Sequence, residues 1–315
     1  MDELEIIGLL TKRAGRLPRG FLPFGDDVAA LPRGRGRLVL KSDMLVAKTD
    51  VPPGMTWRQV GRKSVAMCVS DFAAKGVNPK ALMISLGIPR SLSEAGIRSL
   101  VNGIGDGMTE WGARLVGGDT NESDDVIIDC LMAGFASRIV PRGGASPGEY
   151  VVATGEFGKT SAGLKILLEH ARAEARFRRE ALASIYKPSP RLRLCVALSG
   201  FFSSSMDSSD GLAICLHTIA EMSGVGMRVG RLPGGGTRLE KFARENGYAA
   251  SDLILYGGEE YETVATIGRE KLRDAQEVAA KMGAKLLVMG ETTNDPGVFL
   301  EDGSEIRRKG WVHLT

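Results

Sequence analysis

Histidine is scarce in this 315-residue chain. His170, His217 and His313 are the whole complement, and none stands at metal-ligand spacing from another. That excludes a histidine-built metal centre and leaves no Ser–His or Cys–His nucleophile pair to argue for. Cysteine is equally sparse. Cys68, Cys130, Cys195 and Cys215 are far apart, form no C-x-x-C, and each lies in an apolar run. They are expected to be buried free thiols rather than zinc ligands or disulfides. No apolar run approaches the ~20 residues needed to span a bilayer. Residues 1–10 carry three acids and no basic n-region, so no secretory signal is read there. The expectation is a reduced, cytoplasmic protein with no membrane partner. There is no excess of charge of one sign either: 41 Lys and Arg face 38 Asp and Glu, a formal net charge of +3. A dedicated nucleic-acid binder would be far more basic. The densest basic run, residues 172–179, is interleaved with Ala, Glu and Phe and reads as the exposed face of a helix. No G-x-G-x-x-G fingerprint, internal repeat or low-complexity segment is present.

What the chain does have is glycine and well-placed acid. Its 43% hydrophobic and 25% charged residues are those of a globular protein long enough for two domains. Many of its 41 glycines sit beside six short acidic motifs. These are Gly25-Asp26-Asp27, Ser42-Asp43, Ser70-Asp71, Gly117-Gly118-Asp119-Thr120, Asp207-Ser208-Ser209-Asp210-Gly211 and Gly257-Gly258-Glu259-Glu260. Carboxylates next to hydroxyls and glycines, without histidine or thiol partners, suit hard oxygen-seeking cations. Mg²⁺ is the usual choice when phosphates complete the shell. Like charges gathered from many segments also need a cation to be tolerable.

The pattern along the chain predicts strands at 37–46, 81–88, 114–116 and 125–138. Helices are predicted at 56–75, stopped by Gly76, and at 93–111, opened by Ser93. This β-α-β-α-β-β order is an α+β sandwich with helices on one face. A Pro- and Gly-rich stretch, 140–149, then marks a boundary, dividing the chain into domains 1–138 and 139–315. The second domain is read as α/β, with strands at 150–154, 285–290 and 297–300 and helices at 161–179 and 212–222.

Any one of these acidic motifs is by itself a turn or a helix cap. Two resist that reading. Asp71 falls toward the C-terminal end of a helix, where it opposes the macrodipole, among apolar Met67, Cys68, Val69 and Phe72. Ser42-Asp43 interrupts an otherwise apolar strand. Residues 155–161, Gly-Glu-Phe-Gly-Lys-Thr-Ser, lie between a strand and a helix but fail the Walker A spacing, because position 153 is Ala. That segment either binds an anion at the helix N-terminus or merely packs.

Taken in order, the motifs resemble those of the thiamine-monophosphate kinases. These belong with aminoimidazole ribonucleotide synthetase, selenophosphate synthetase and a hydrogenase maturation protein. The resemblance runs through Gly25-Asp26-Asp27, Ser42-Asp43-Met44-Leu45-Val46, residues 69–76, Gly117 to Thr120, residues 206–212, Gly257-Gly258-Glu259-Glu260-Tyr261-Glu262 and a closing Gly310-Trp311-Val312-His313. It implies a dimerising N-terminal domain whose strands form a shared β-barrel, and a C-terminal α/β domain packed against it. It implies ATP, several Mg²⁺ ions and a homodimer. Asp27, Ser42, Asp43, Asp71, Asp119, Asp207 and Asp210 fall on the family's metal positions. Of these, Asp43, Asp71, Asp119 and Asp210 are the expected catalytic set. Gly118, Asp119, Arg142 and Ser209 fall on nucleotide contacts. Asp50, Glu259 and Trp311 fall on contacts to thiamine phosphate, where an aromatic face suits a thiazolium cation.

Three positions depart from the pattern. Lys41 stands where relatives often carry a hydroxyl that helps a magnesium, Asp50 where many have His, and Glu260 where Asp is usual. No cysteine precedes Cys68 and the chain ends His-Leu-Thr, unlike selenophosphate synthetase and the hydrogenase maturation protein respectively. The implied activity is ATP-dependent phosphorylation of thiamine monophosphate to thiamine diphosphate. The rival readings are an ATP-dependent relative with another small acceptor, and a non-catalytic nucleotide-binding homologue.

Overall fold

The computed structural model describes residues 3–14, 17–234 and 236–311. The first half runs α1 (Glu3–Ala14), β1 (Ala29–Arg33), β2 (Gly36–Val46), α2 (Ala47–Asp50), α3 (Trp57–Ala74), β3 (Pro79–Ile88), α4 (Glu94–Trp111), β4 (Arg114–Glu122) and β5 (Ile127–Ala136). Its strands form one sheet in the order β1-β2-β5-β3-β4. The expected strands and helices are present. In addition a hairpin partner, β1, precedes β2, and β4 continues six residues beyond the predicted 114–116. The sheet is open at β1 and β4, so a single chain does not close a barrel.

The second half runs β6 (Tyr150–Ala153), α5 (Lys159–Leu168), α6 (Ala175–Tyr186), α7 (Leu192–Leu198), β7 (Phe202–Asp207), α8 (Leu212–Ser223), β8 (Gly226–Val229), α9 (Gly236–Asn246), α10 (Ala250–Leu255), β9 (Thr263–Ile267), α11 (Leu272–Lys281), β10 (Leu287–Thr293) and β11 (Val298–Leu300). A six-stranded sheet joins these strands in the order β11-β8-β10-β6-β9-β7. Where the sequence predicts one helix over 161–179 there are two. α5 ends at Leu168, and His170 turns the chain with φ of 56°, a left-handed conformation that cannot continue a helix. Most of the basic run 172–179 does lie on the exposed surface, around the start of α6. All four cysteines are buried and free. No helix among the described residues is long and apolar enough to cross a membrane.

Helix α3 holds the halves together. Thr56 and Gln59 form a capping box at its start. At its end Gly76, with φ of 69°, lets Val77 N donate back to Phe72 O at 2.9 Å, closing the last turn. Between these ends almost every residue from Val60 to Ala74 is buried. One side carries Val60, Val65, Val69 and Phe72 into the core beneath the first sheet. The other side meets the second half: Arg62 donates to Pro188 O at 2.8 Å, and Ser205 Oγ of β7 donates to Ala74 O. α7 supplies Leu192 and Cys195 to the first core and Leu194 and Leu198 to a core of the second half.

α3 and α4 approach so closely that glycine is required at the crossing. A Cβ on Gly61 would lie 2.1 Å from Leu100 O, and one on Gly103 would lie 1.9 Å from Arg58 O. Gly105, two residues along α4, has nothing within 4 Å of its would-be Cβ. Gly61→Ala is therefore expected to cost about 1–3 kcal/mol through forced separation of the helices. Gly105→Ala should instead stabilise by about 0.5–1 kcal/mol through helix propensity. Urea unfolding of the two variants measures both. Equal effects would mean that the crossing does not constrain the fold.

Candidate active site: a buried carboxylate cluster between the halves

Three carboxylates from three distant segments converge. Asp27 sits in the turn before β1, Asp71 in the last turn of α3, and Asp207 at the end of β7. Each is buried, and one oxygen from each lies within 4.8 Å of the others. Asp27 is fixed from several directions. Its backbone N donates to Asp26 Oδ1 at 2.8 Å. The Lys75 ammonium, fully buried just past α3, lies 2.6 Å from Asp27 Oδ2 and 3.0 Å from Asp26 Oδ1, and donates to Ser205 O at 2.6 Å. Arg142 Nε donates to Asp27 Oδ1 at 2.6 Å, and its Nη1 donates to Gly25 O at 2.7 Å. Asp43 joins through Lys41, whose Nζ is 3.1 Å from Asp43 Oδ1 and 3.0 Å from Asp71 Oδ2.

Four carboxylates (Asp26, Asp27, Asp43, Asp71) thus share three cations, Lys41, Lys75 and Arg142, while a fifth, Asp207, joins the cluster without an ion pair among the described residues. The surplus acid shows in the proton affinities. Burial pushes Asp207 up to about 7, helped by the charge of Asp27. Burial likewise raises Asp71 well above the carboxylate range, with Lys41 pulling the other way and Asp207 and Asp43 adding to the rise. Asp27 differs. Burial would raise it too, but Lys75 and Arg142 hold it below its ordinary value. Buried oxygen-only donors with excess negative charge fit a divalent cation of the Mg²⁺ type, which would relieve the pressure on Asp71 and Asp207.

The remaining predicted residues divide. Alternation along β2 puts Lys41 and Asp43 on the helix-covered face with buried Val39 and Leu45, and Ser42 on the opposite face. There Ser42 Oγ donates to Asp129 Oδ1 at 2.6 Å. Asp119 belongs to that same outer face, in register with Ser85 of β3, which pairs in turn with Asp129 of β5. Gly118 stands in the row of Ile84, Cys130 and Asp43, three strands away from Asp43 and so about 14 Å off at the usual strand spacing. Ser42 and Asp119 are therefore not brought to the Asp27–Asp71–Asp207 cluster within one chain.

Ser209, Asp210, Glu259 and Trp311 do meet, beside the end of β7. Ser209 O accepts from Glu259 N at 2.7 Å, and Asp210 O accepts from Trp311 N at 3.1 Å. Glu259 and Tyr261 both hold left-handed backbones, φ 62° and 53°, a strain that only surrounding structure can impose. Part of that structure is Lys63, only 1% exposed. Its Nζ donates to Glu259 Oε1 at 2.5 Å and to Asp50 O at 2.7 Å, bridging two predicted substrate positions. The Asp50 carboxylate itself accepts from Val46 N at 2.7 Å. Val312 and His313 of the closing motif lie outside the described residues.

The strand–turn–helix segment at 155–161 already holds an anion of its own. Glu260 accepts from Gly158 N at 2.6 Å, from Thr160 N at 3.2 Å and from Thr160 Oγ1 at 3.0 Å at the start of α5. Burial raises Glu260 to about 7 against these hydrogen bonds. Lys63, Asp129 and the roles of Lys75 and Glu260 were not read from sequence. Lys63 follows Arg62 and precedes Ser64, so in sequence it passes for the polar face of α3, and Asp129 looks like any polar residue alternating along a strand.

In sequence and in fold the chain is similar to known proteins. Residues 25–136 match the family described as AIR synthase related protein, N-terminal domain. The thiamine-monophosphate kinase of Nitrosopumilus maritimus is 34% identical over 317 residues, covering 100% of this chain and 99% of that protein. That of Pyrococcus abyssi is 35% identical, covering 100% of this chain and 96% of its own length. Among solved structures, AaThiL complexed with AMPPCP and TMP superposes with a TM-score of 0.88 at 26% identity, covering 99% of this chain and 97% of that one.

The raised Asp207 has a thermodynamic consequence. Folded, it binds its proton more tightly than unfolded, where the value is 3.8, so folding takes up a proton between about pH 4 and about pH 7. The Asp207 contribution to stability is accordingly lost as pH rises through that window. In metal-free protein, Asp207→Asn should be more stable than the parent at neutral pH, and the advantage should shrink toward pH 4. Thermal melts in chelator across that range check it. A variant less stable than the parent at neutral pH would show that Asp207 is not under this pressure.

Proposed function

This chain belongs to the thiamine-monophosphate kinase family, and we propose that the Asp27–Asp71–Asp207 cleft is where it moves the γ-phosphoryl group of ATP onto thiamine monophosphate, giving thiamine diphosphate. It is an enzyme, a phosphotransferase whose acceptor is itself a phosphate group. The observation that carries the site assignment is the convergence of three buried carboxylates, with oxygens within 4.8 Å, from both halves of the molecule. Bound there by Asp27, Asp71 and Asp207, with Asp43 and Asp210 at hand, Mg²⁺ would neutralise the phosphates as charge shifts between them.

The chain's own groups do the positioning. Arg142, held by Asp27 and Gly25, offers guanidinium N–H groups to nucleotide phosphate at the mouth of the cleft. Ser209 and Asp210 sit on the loop that ties the cleft to Glu259 and Trp311. The acid of Glu259 and the ring of Trp311 suit the cationic, flat thiamine moiety, whose phosphate would then point toward the carboxylates. No general base is needed. A phosphate monoester with a second pKa near ~6 is already mostly dianionic at neutral pH. The barrier lies in bringing two polyanions together, and cationic groups fixed in advance lower it.

The open sheet supports a homodimer. Met44, Met83 and Phe135 are exposed on its outer face, and Leu115 and Val116 are exposed on the edge strand β4, an apolar surface that a second copy would cover. Ser42, Asp119 and Asp129 lie on that face, so the partner would be seated next to two of the predicted metal positions.

A coupled assay should find ADP formed only when thiamine monophosphate is present, with free thiamine a poor acceptor. Comparable rates on free thiamine would overturn the acceptor assignment. So would a covalent label left on the protein by γ-labelled ATP alone, since transfer is direct. Asp71→Asn should lower kcat at least about 100-fold, the scale of losing one preorganised electrostatic group, while circular dichroism stays that of the parent. Light scattering should give the mass of two chains, and a stable single-chain mass at micromolar concentration would refute the dimer.

A further inference from the structure

Lys41 stands on the helix-covered face of β2, and it points into acid. Its ammonium lies between Asp43 Oδ1, at 3.1 Å, and Asp71 Oδ2, at 3.0 Å. The other two cations of the cluster, Lys75 and Arg142, both lie against Asp27. Asp207 makes no ion pair among the described residues. The three carboxylates of the candidate metal cluster are therefore not equivalent. Asp27 has two cations, Asp71 shares one with Asp43, and Asp207 has none.

A Mg²⁺ ion binds carboxylate oxygen at about 2.0–2.1 Å. An ion bridging Asp43 Oδ1 and Asp71 Oδ2 would have to occupy the space between those oxygens that the ammonium already fills. The two like-charged groups cannot share it. Lys41 is also anchored better than a mobile ion. It stands in mid-strand, in register with Met132 of β5 and one residue past Leu40, where the pairing with β1 ends.

We propose that the Lys41 ammonium is a built-in cation that takes the place of a divalent ion between Asp43 and Asp71, confining metal to the Asp207 side of the cleft. This inference rests on the metal reading of the cleft given above. It has two consequences. The chain binds one divalent ion fewer than its carboxylates could hold, and its cleft is assembled before any metal arrives.

The test is Mn²⁺ binding to the full chain, counted by electron paramagnetic resonance after chelator treatment and without nucleotide. Lys41→Ser should bind one more Mn²⁺ per chain than the parent, and Lys41→Arg, which keeps the cation, should match the parent. Melts in chelator supply a second readout. Lys41→Ser should lose thermal stability without metal and recover it on adding Mg²⁺, while the parent responds less. Should Lys41→Ser fail to fold, Lys41→Met keeps the aliphatic stem and is titrated in its place, with the same counts expected. Equal non-zero counts in the parent and the charge-removed variant overturn the role of Lys41 alone. If no Mn²⁺ binds to the parent or any variant, the metal reading of the cleft falls with it.

Discussion

The buried Lys75 ammonium is the interaction on which the rest of this structure depends. It contacts Asp26 and Asp27 from the N-terminal turn and donates to Ser205 O from β7, while standing at the end of α3. A lysine with no solvent exposure is costly unless every donor is used and its charge is opposed. Here both conditions hold, and the groups that meet them come from two remote segments. Meeting them pins the N-terminal turn, α3 and the second sheet to one point. That point is also where Asp27, Asp71 and Asp207 meet. The acidic cleft exists because a cation is buried behind it.

The cations do not cancel the acids. Asp207 is pushed up by burial and by Asp27, and Asp71 by burial and by Asp207 and Asp43; a protein selected for stability alone would have replaced them. A cleft that is too negative when empty is what a site needs if it is to gather divalent ions and hold two phosphate groups between them. The same tension recurs at residues 257–262. There two non-glycine residues are held left-handed, and a fully buried lysine spans from Asp50 to Glu259. Stability is spent where ligand must be oriented.

Much of this was legible in the sequence, for reasons that can be named. Ser93 and Gly76 marked helix ends because their chemistry there is local. Asp71 stood out because an acid near a helix C-terminus among apolar neighbours has no local justification, and it proved to be part of the cluster. Other features depended on contacts that no local pattern encodes. The helix predicted over 161–179 breaks at His170, and a lone histidine enters the left-handed region too seldom to mark a helix end by its type. Glu260 looked like a ligand for something external, and instead caps α5 from 100 residues away. Ser42 and Asp43 are adjacent in sequence and looked like one site, yet the pleat sends them to opposite faces. The partner that Ser42 finds, Asp129, is 87 residues distant.

The most direct test of this account is a double-mutant cycle between Lys75 and Asp27, measured as stability in urea with metal removed. Lys75→Met alone should cost about 3–5 kcal/mol, because it strands buried carboxylates without their cation. Adding Asp27→Asn in the same chain should restore a large part of that loss, since the stranded charge is then gone. Costs that simply add, to within about 0.5 kcal/mol, would contradict the claim that this buried pair assembles the cleft.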